Sequence, residues 1–277
     1  MYPVLFEVFG FPVFSFTVAL LVGVFGALFV AYNLLKKRGF KAEILFDKII
    51  FLFLFSLIFG RIFHLFIDMG DYHDSFWQMF NIFDGKGFTW GILIGIYLFI
   101  NLILIKDTSN KRGWYDVLTP SWLFAMFFYY FGGFLAQKNI GIPTDQPWGV
   151  IFEGPDFPFS GVTIHPVDGY MALTCLILFI FSFIFVFKKK TLISKGGIFF
   201  LSLLIYSILG LVAKKYAMSA KHIVSGYDIE NLISWTLIVI SFILLSIEIY
   251  KKYVIKFIKK SNIPNSTRRR NKRRSTK

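Results

Sequence analysis

A chain of 277 residues that is 56% apolar and only 17% charged, with a mean hydropathy of +0.64, cannot clothe a soluble surface of its size with polar side chains. Its net charge of +14 is not a nucleic-acid signature. The cations cluster between apolar runs and after the last of them, as in loops that face the anionic headgroups of a cytoplasmic leaflet, so no nucleic-acid partner is expected.

A spanning helix needs about 20 mostly apolar residues. Runs over 12–35, 46–67, 90–105, 117–136, 166–187, 196–217 and 229–250 meet or approach that length. The first has no basic n-region and follows Glu7, so it reads as a retained helix rather than a cleaved signal. The second carries Arg61 and His64. The third is short and opens on the Gly-rich stretch GFTWGILIG (87–95), where small residues let a helix or a lipid chain approach the backbone. The fifth holds Cys175, the single cysteine, which forms no internal disulfide; no zinc-type Cys/His spacing occurs. After the last run comes a basic tail, 251–277, expected to begin as an interfacial helix (KKYVIKFIKK) and to end disordered. The predicted fold is all-α: a polytopic membrane protein of about seven transmembrane helices, with one membrane domain over 1–250.

Orientation follows from the cations. The loops after the first, third and fifth runs carry Lys36, Lys37, Arg38 and Lys41; Lys106, Lys111 and Arg112; and Lys188, Lys189, Lys190 and Lys195. The alternate segments are poorer in cations and hold Asp68, Asp71, Asp74, Asp84, Asp145, Glu153 and Asp156. This alternation puts the N-terminus outside and the C-terminus in the cytoplasm.

Ionisable groups within spans are costly in lipid and face protein or a cavity. Arg61, His64, Lys138, His165, Lys214 and Lys215 are the candidates. Arg61 reads equally as a buried structural pair. Lys214 and Lys215 read equally as cations reaching the outer interface. His165-Pro166 opens a helix, where a cap is the simpler role. Walker, dinucleotide and nucleophile-elbow motifs are absent.

Several segments in order resemble the prolipoprotein diacylglyceryl transferase family over nearly the whole chain. YPVLFEVFGFPVFSF (2–16) resembles its start, and GRIFHLF (60–66) its GGRIGYVLF-type segment. FNIFDGKGFTWGILIG (80–95) is similar to "FNIWEGG-x-x-x-HGGLIG", and GGFLAQKNIGIPTDQPWGVIF (132–152) to "GNFxNQExYGxPTDLPWGVxF". HPVDGY (165–170) resembles "HPTQLY", and YSILGLVAKKY (206–216) "YSxGRFxxExxR". The resemblance implies a bacterial plasma-membrane enzyme that moves diacylglyceryl from phosphatidylglycerol to the lipobox cysteine of a prolipoprotein. The products are a thioether and glycerol phosphate. No metal or organic cofactor is expected. Such chemistry needs a thiolate and fixed donors for a departing phosphate.

At most positions where the resemblance implies catalytic groups, this sequence differs. The family's tyrosine falls on Phe16, its histidine on Trp90, its signature arginine on Tyr130 and its asparagines on Gly133 and Ala136. Its glutamate falls on Lys138, its late arginine on Gly210, the glutamate four residues on at Lys214, and the Glu after "HPTQLY" on Met171. Retained are Arg61, Gly91, Gly95, Gly132, Gln137, Gly141, Pro143, Asp145, Trp148, His165 and Tyr170, which read mostly as fold-keeping or loop-shaping residues.

Three readings follow. One is a catalytically impaired relative that keeps a phospholipid-binding scaffold, with a phosphatidylglycerol-like lipid as ligand; a prolipoprotein signal peptide or an active paralogue would be its protein partner. In a second, activity persists with relocated groups, Lys138 and Lys214 as phosphate-holding cations and His165 or His222 as base; the lipid- or phosphate-binding candidates are Arg61, Lys138, His165 and Lys214. The third is a small transporter or structural membrane protein; the lack of an inverted repeat counts against a transporter.

Overall fold

The computed structural model describes residues 4–67, 89–106, 110–152, 161–189, 195–218, 223–224 and 227–261. Two short strands open it, β1 (Val4–Val8) and β2 (Phe11–Phe14), paired antiparallel. The turn between them puts both Phe9 (φ 51°) and Gly10 (φ 80°) in the left-handed region, the backbone of a tight primed hairpin turn. This hairpin takes up residues 12–14 of the first predicted span, so helix α1 runs Ser15–Arg38. Gly39, in left-handed conformation, closes α1, and Lys36, Lys37 and Arg38 fill its last turn.

The second predicted span divides in two, α2 (Glu43–Asp47) and α3 (Ile49–Ile67). The break falls at Lys48, whose ammonium donates to the Ile103 carbonyl at 2.7 Å. That carbonyl lies near the end of the third span, α4 (Thr89–Phe99), which continues as a π-helical turn over Ile100–Leu104. The wider π turn frees carbonyls, and Lys48 satisfies one of them.

Helix α5 (Lys111–Leu135) begins before the predicted 117 and carries Pro120 within it. Two-residue strands β3 (Val150–Ile151) and β4 (Thr163–Ile164) pair in the loop that follows. Then come α6 (Val167–Phe187), α7 (Gly197–Lys214), a small β5–β6 pair (Ile223–Val224, Tyr227–Asp228) and α8 (Ile229–Ser261). The first residues of the basic tail, where an interfacial helix was expected, are helical as a continuation of α8; 262–277 lie outside the described residues.

Among the described residues six helices are long and apolar enough to cross a membrane, and the Gly91–Leu104 segment is a shorter apolar helix. The chain is an all-α multi-pass membrane protein. Its helices have no hydrophobic drive to associate in lipid, so close contact must come from shape. Helix α5 is central, flanked by α1 and α6; α7 packs on α6 and α5, and α8 on α7. At Gly23 a Cβ would lie 2.8 Å from the Phe128 Cβ, and at Gly132 2.7 Å from the Ala19 Cβ, so glycines on both helices bring α1 onto α5. Helices α3 and α4 form a second pair. There a Cβ on Gly91 would stand 2.5 Å from the Phe59 carbonyl oxygen, and one on Gly95 would press on the Phe55 carbonyl. The Gly-rich stretch thus accommodates the α3 backbone.

Polar groups secure the cytoplasmic end. Asp116 of α5, 4% exposed, accepts the backbone N–H groups of Gly196 (2.6 Å), Ile198 (3.0 Å) and Phe199 (3.1 Å). The start of α7 offers no capping side chain of its own, so its N-terminal donors and positive dipole end are met from a neighbouring helix. Glu248 of α8 is buried and ion-paired with Arg112 of α5.

Candidate functional site

Most positions singled out by sequence fall on α1, α5, α6 and α7 and in the loop after α5, while Arg61, His64, Gly91 and Gly95 lie on α3 and α4. Helix α5 ends at Leu135, and its last turn holds the adjacent buried glycines Gly132 and Gly133. Gln137 then takes a left-handed φ of 56°, turning the chain across the bundle.

Backbone pairing stitches three outer segments together. Ile142 N–H donates to Tyr216 O (2.8 Å), His165 N–H to Ile142 O (3.0 Å), Thr144 N–H to Thr163 O (2.9 Å) and Met218 N–H to Ile140 O (2.7 Å). Gly141 lies at the crossing, where a Cβ would come within 3.0 Å of the His165 Cα and closer still to its carbonyl. Only glycine admits that approach, so Gly141→Ala should cost about 2 kcal/mol or more of stability, read from unfolding in detergent.

The retained Trp148, His165 and Tyr170 form one network. The Tyr170 hydroxyl accepts from Trp148 Nε1 at 2.9 Å and shares a hydrogen bond with His165 Nδ1 at 2.8 Å. The His165 ring also packs against Tyr216, centroids 4.6 Å apart. One imidazole nitrogen is therefore committed to Tyr170 in the first turn of α6.

The substituted positions are filled by mutual contacts. Lys138 Nζ stands 4.5 Å from the Phe16 ring centroid and 5.5 Å from that of Tyr129. A ring and an ammonium thus meet where the resemblance implies a tyrosine and a glutamate, and they attract as cation and π face. The Tyr130 and Tyr206 hydroxyls share a 2.8 Å hydrogen bond. Both rings belong to an apolar cluster with Leu123, Met126, Met171 and Cys175. At Gly210 the nearest atom to a Cβ would be the Met171 Cε, 3.8 Å away, so an apolar side chain stands beside the position of the late arginine. Lys214 is not displayed to the site: its ammonium donates to Asp228 Oδ1 at 2.6 Å, both side chains largely buried, and Asn231 also bonds that carboxylate.

Arg61 and His64 are both buried on α3. Asp145 is exposed on the outer loop. The Trp90 side chain and His222 lie outside the described residues.

Sequence reasoning missed Asp168. It is 3% exposed, accepts from Asn139 Nδ2 at 2.6 Å through Oδ1, and turns Oδ2 toward Gly133, where a Cβ would lie 2.6 Å from it. Among the described residues Oδ2 has no hydrogen-bond partner, nor has the buried Gln137 Nε2. Lys138 is near enough for its charge to act on the carboxylate. The available signal was paired substitution: glycine stands where the resemblance implies asparagine, and aspartate where it implies the glutamine of "HPTQLY". The smaller residue makes room for the charged one.

Comparison with known proteins gives the same family as the motifs. The family model described as prolipoprotein diacylglyceryl transferase matches residues 3–247. A phosphatidylglycerol–prolipoprotein diacylglyceryl transferase of Clostridium tetani is 25% identical over 253 residues, covering 91% of this chain and 100% of that one. The Finegoldia magna protein of the same name is 22% identical over 253 residues, covering 91% and 97%. That of Chlamydia caviae is 26% identical over 198 residues, covering 66% of each. With its multi-pass helices and a match over nearly its whole length, this plasma-membrane chain belongs to the prolipoprotein diacylglyceryl transferase family.

Proposed function

We propose that this chain is a family member that lacks the family's catalytic route and keeps its membrane scaffold, with phospholipid as its ligand. The relatives are named for action on phosphatidylglycerol and prolipoprotein. Transfer from such a lipid requires fixed cations or donors at a departing phosphate, aimed at charge that develops in the transition state. The observation that carries the reading is the Tyr130–Tyr206 hydroxyl pair inside an apolar cluster. A phenol bonded to a phenol supplies no positive charge, and the resemblance places an arginine at this position. The same pattern extends outward: the Lys138 ammonium lies over the Phe16 ring, and Lys214 is neutralised by Asp228. Lys138 and Lys214, which could have held a phosphate, are thus engaged within the protein.

The test is direct. Purified protein is incubated with phosphatidylglycerol and a lipobox peptide, and the peptide is analysed by mass spectrometry. No thioether-lipidated product above a protein-free control is expected, while native mass spectra of the same preparation retain phospholipid. Product formation would overturn the proposal. Lys214→Ala would then decide whether the relocated lysine is responsible. In the nonenzymatic reading that variant loses the ion pair with Asp228 and no activity, for about 1–3 kcal/mol of stability, measured by unfolding in detergent.

A further inference from the structure

The positions compared with the family lie at the outer ends of the helices; a groove of about 520 Å³ lies at the opposite end, between α1 and α6. Its origin is in how α1 packs. Gly23 and Gly26 let α1 lean onto Phe128 and Phe124 of α5, which draws it toward α5 rather than α6. On α6, Phe179, Phe183 and Phe187 recur at four-residue spacing, with successive ring centroids 5.6 Å apart. This ladder forms one wall over about 12 Å of helix. Phe29, Val30 and Leu34 of α1 form the other.

The cytoplasmic mouth is cationic. Lys36 and Lys37 line it, at the end of α1. The Lys37 ammonium sits on the Phe187 ring, and that of Lys36 is 5.9 Å from the Tyr32 ring centroid. Among the described residues neither is ion-paired with a carboxylate. An aromatic, lipid-open trough ending in two uncompensated ammonium groups is complementary to an amphiphile with an anionic head. A zwitterionic head brings its own cation to the same mouth and is disfavoured.

We infer that this groove binds an anionic phospholipid of the cytoplasmic leaflet, one acyl chain along the Phe179–Phe183–Phe187 ladder and the phosphate on Lys36 and Lys37. The site is separate from any lipid held at the outer end and does not depend on the reading given under Proposed function.

Phosphatidic acid is the probe, so that binding is not confused with phosphatidylglycerol at the outer end. The full chain is equilibrated with an equal mixture of phosphatidic acid and phosphatidylcholine, and retained lipid is counted by native mass spectrometry. Phosphatidic acid is expected to be retained in preference. The double variant K36Q/K37Q should weaken that preference about tenfold to thirtyfold, as two interfacial cations would. V30W, which fills the trough and leaves the lysines in place, should remove the bound lipid as well. Equal retention of the two lipids, an unchanged preference in K36Q/K37Q, or a second copy of the chain seated in place of lipid would each overturn the inference. Because the two variants change different properties of the groove, a folding defect in one leaves the other as the test.

Discussion

Replacing Asp116 by alanine is expected to lower the unfolding free energy by about 3 kcal/mol or more, since three backbone donors of α7 lose one shared, charged acceptor in a buried setting. The loss is large because two of the three freed N–H groups are buried and α7 has no capping side chain of its own. Asp116→Asn keeps one carbonyl acceptor and should recover about half of the loss. Unfolding in a detergent titration measures both. An alanine variant within about 0.5 kcal/mol of the parent would show that this helix start is open to solvent.

The second large effect concerns α3 and α4. Gly91→Ala should cost about 2–3 kcal/mol, because its methyl would meet the Phe59 carbonyl oxygen 2.5 Å away, a backbone atom that cannot turn aside. Gly60→Ala, in the same interface, would meet the Ile92 Cγ1 at 2.7 Å. A side chain can change rotamer, so this cost should stay near 1 kcal/mol. The order of the two variants, not only their size, is the result to measure. Equal costs would mean that the two helices separate freely.

The topology was legible in the sequence because it rests on one-dimensional quantities: the length of apolar runs and the side on which cations fall. Both survive with no knowledge of contacts. Boundaries that depend on contacts were not legible. The hairpin at 4–14 hid because VLFEVFGFPVF is as apolar as a helix, and its turn uses Phe9 in a conformation seldom adopted by a bulky residue. The early start of α5 hid because Lys111, Arg112 and Asp116 make its first turns look like a loop. The partners of Arg112 and Asp116, Glu248 and the N-terminus of α7, lie more than seventy residues away.

The candidate site divides in the same way. The substitutions at Phe16, Tyr130, Lys138 and Lys214 were visible once the family motifs were set beside the chain. Their consequences were not, since each new residue is satisfied by a partner from another helix or from the residues around it: Tyr206 for Tyr130, Phe16 for Lys138, Asp228 for Lys214. Asp168 went unnoticed because only the fold brings it against Gly133.

Helix α8 has a mechanical consequence. Its 33 residues make a rod about 50 Å long, against a hydrocarbon core of about 30 Å. The ion pair of Glu248 with Arg112 grips this rod partway along, near the cytoplasmic lip of the bundle. What lies beyond the grip is a stiff lever. A tilt of about 5° about that fulcrum barely moves the packed part and shifts the last described turn, about 20 Å beyond it, by roughly 2 Å. The height of Ser261, the last residue described, is therefore set by an angle fixed within the bundle, which a change in helix packing can alter without touching the helix end itself.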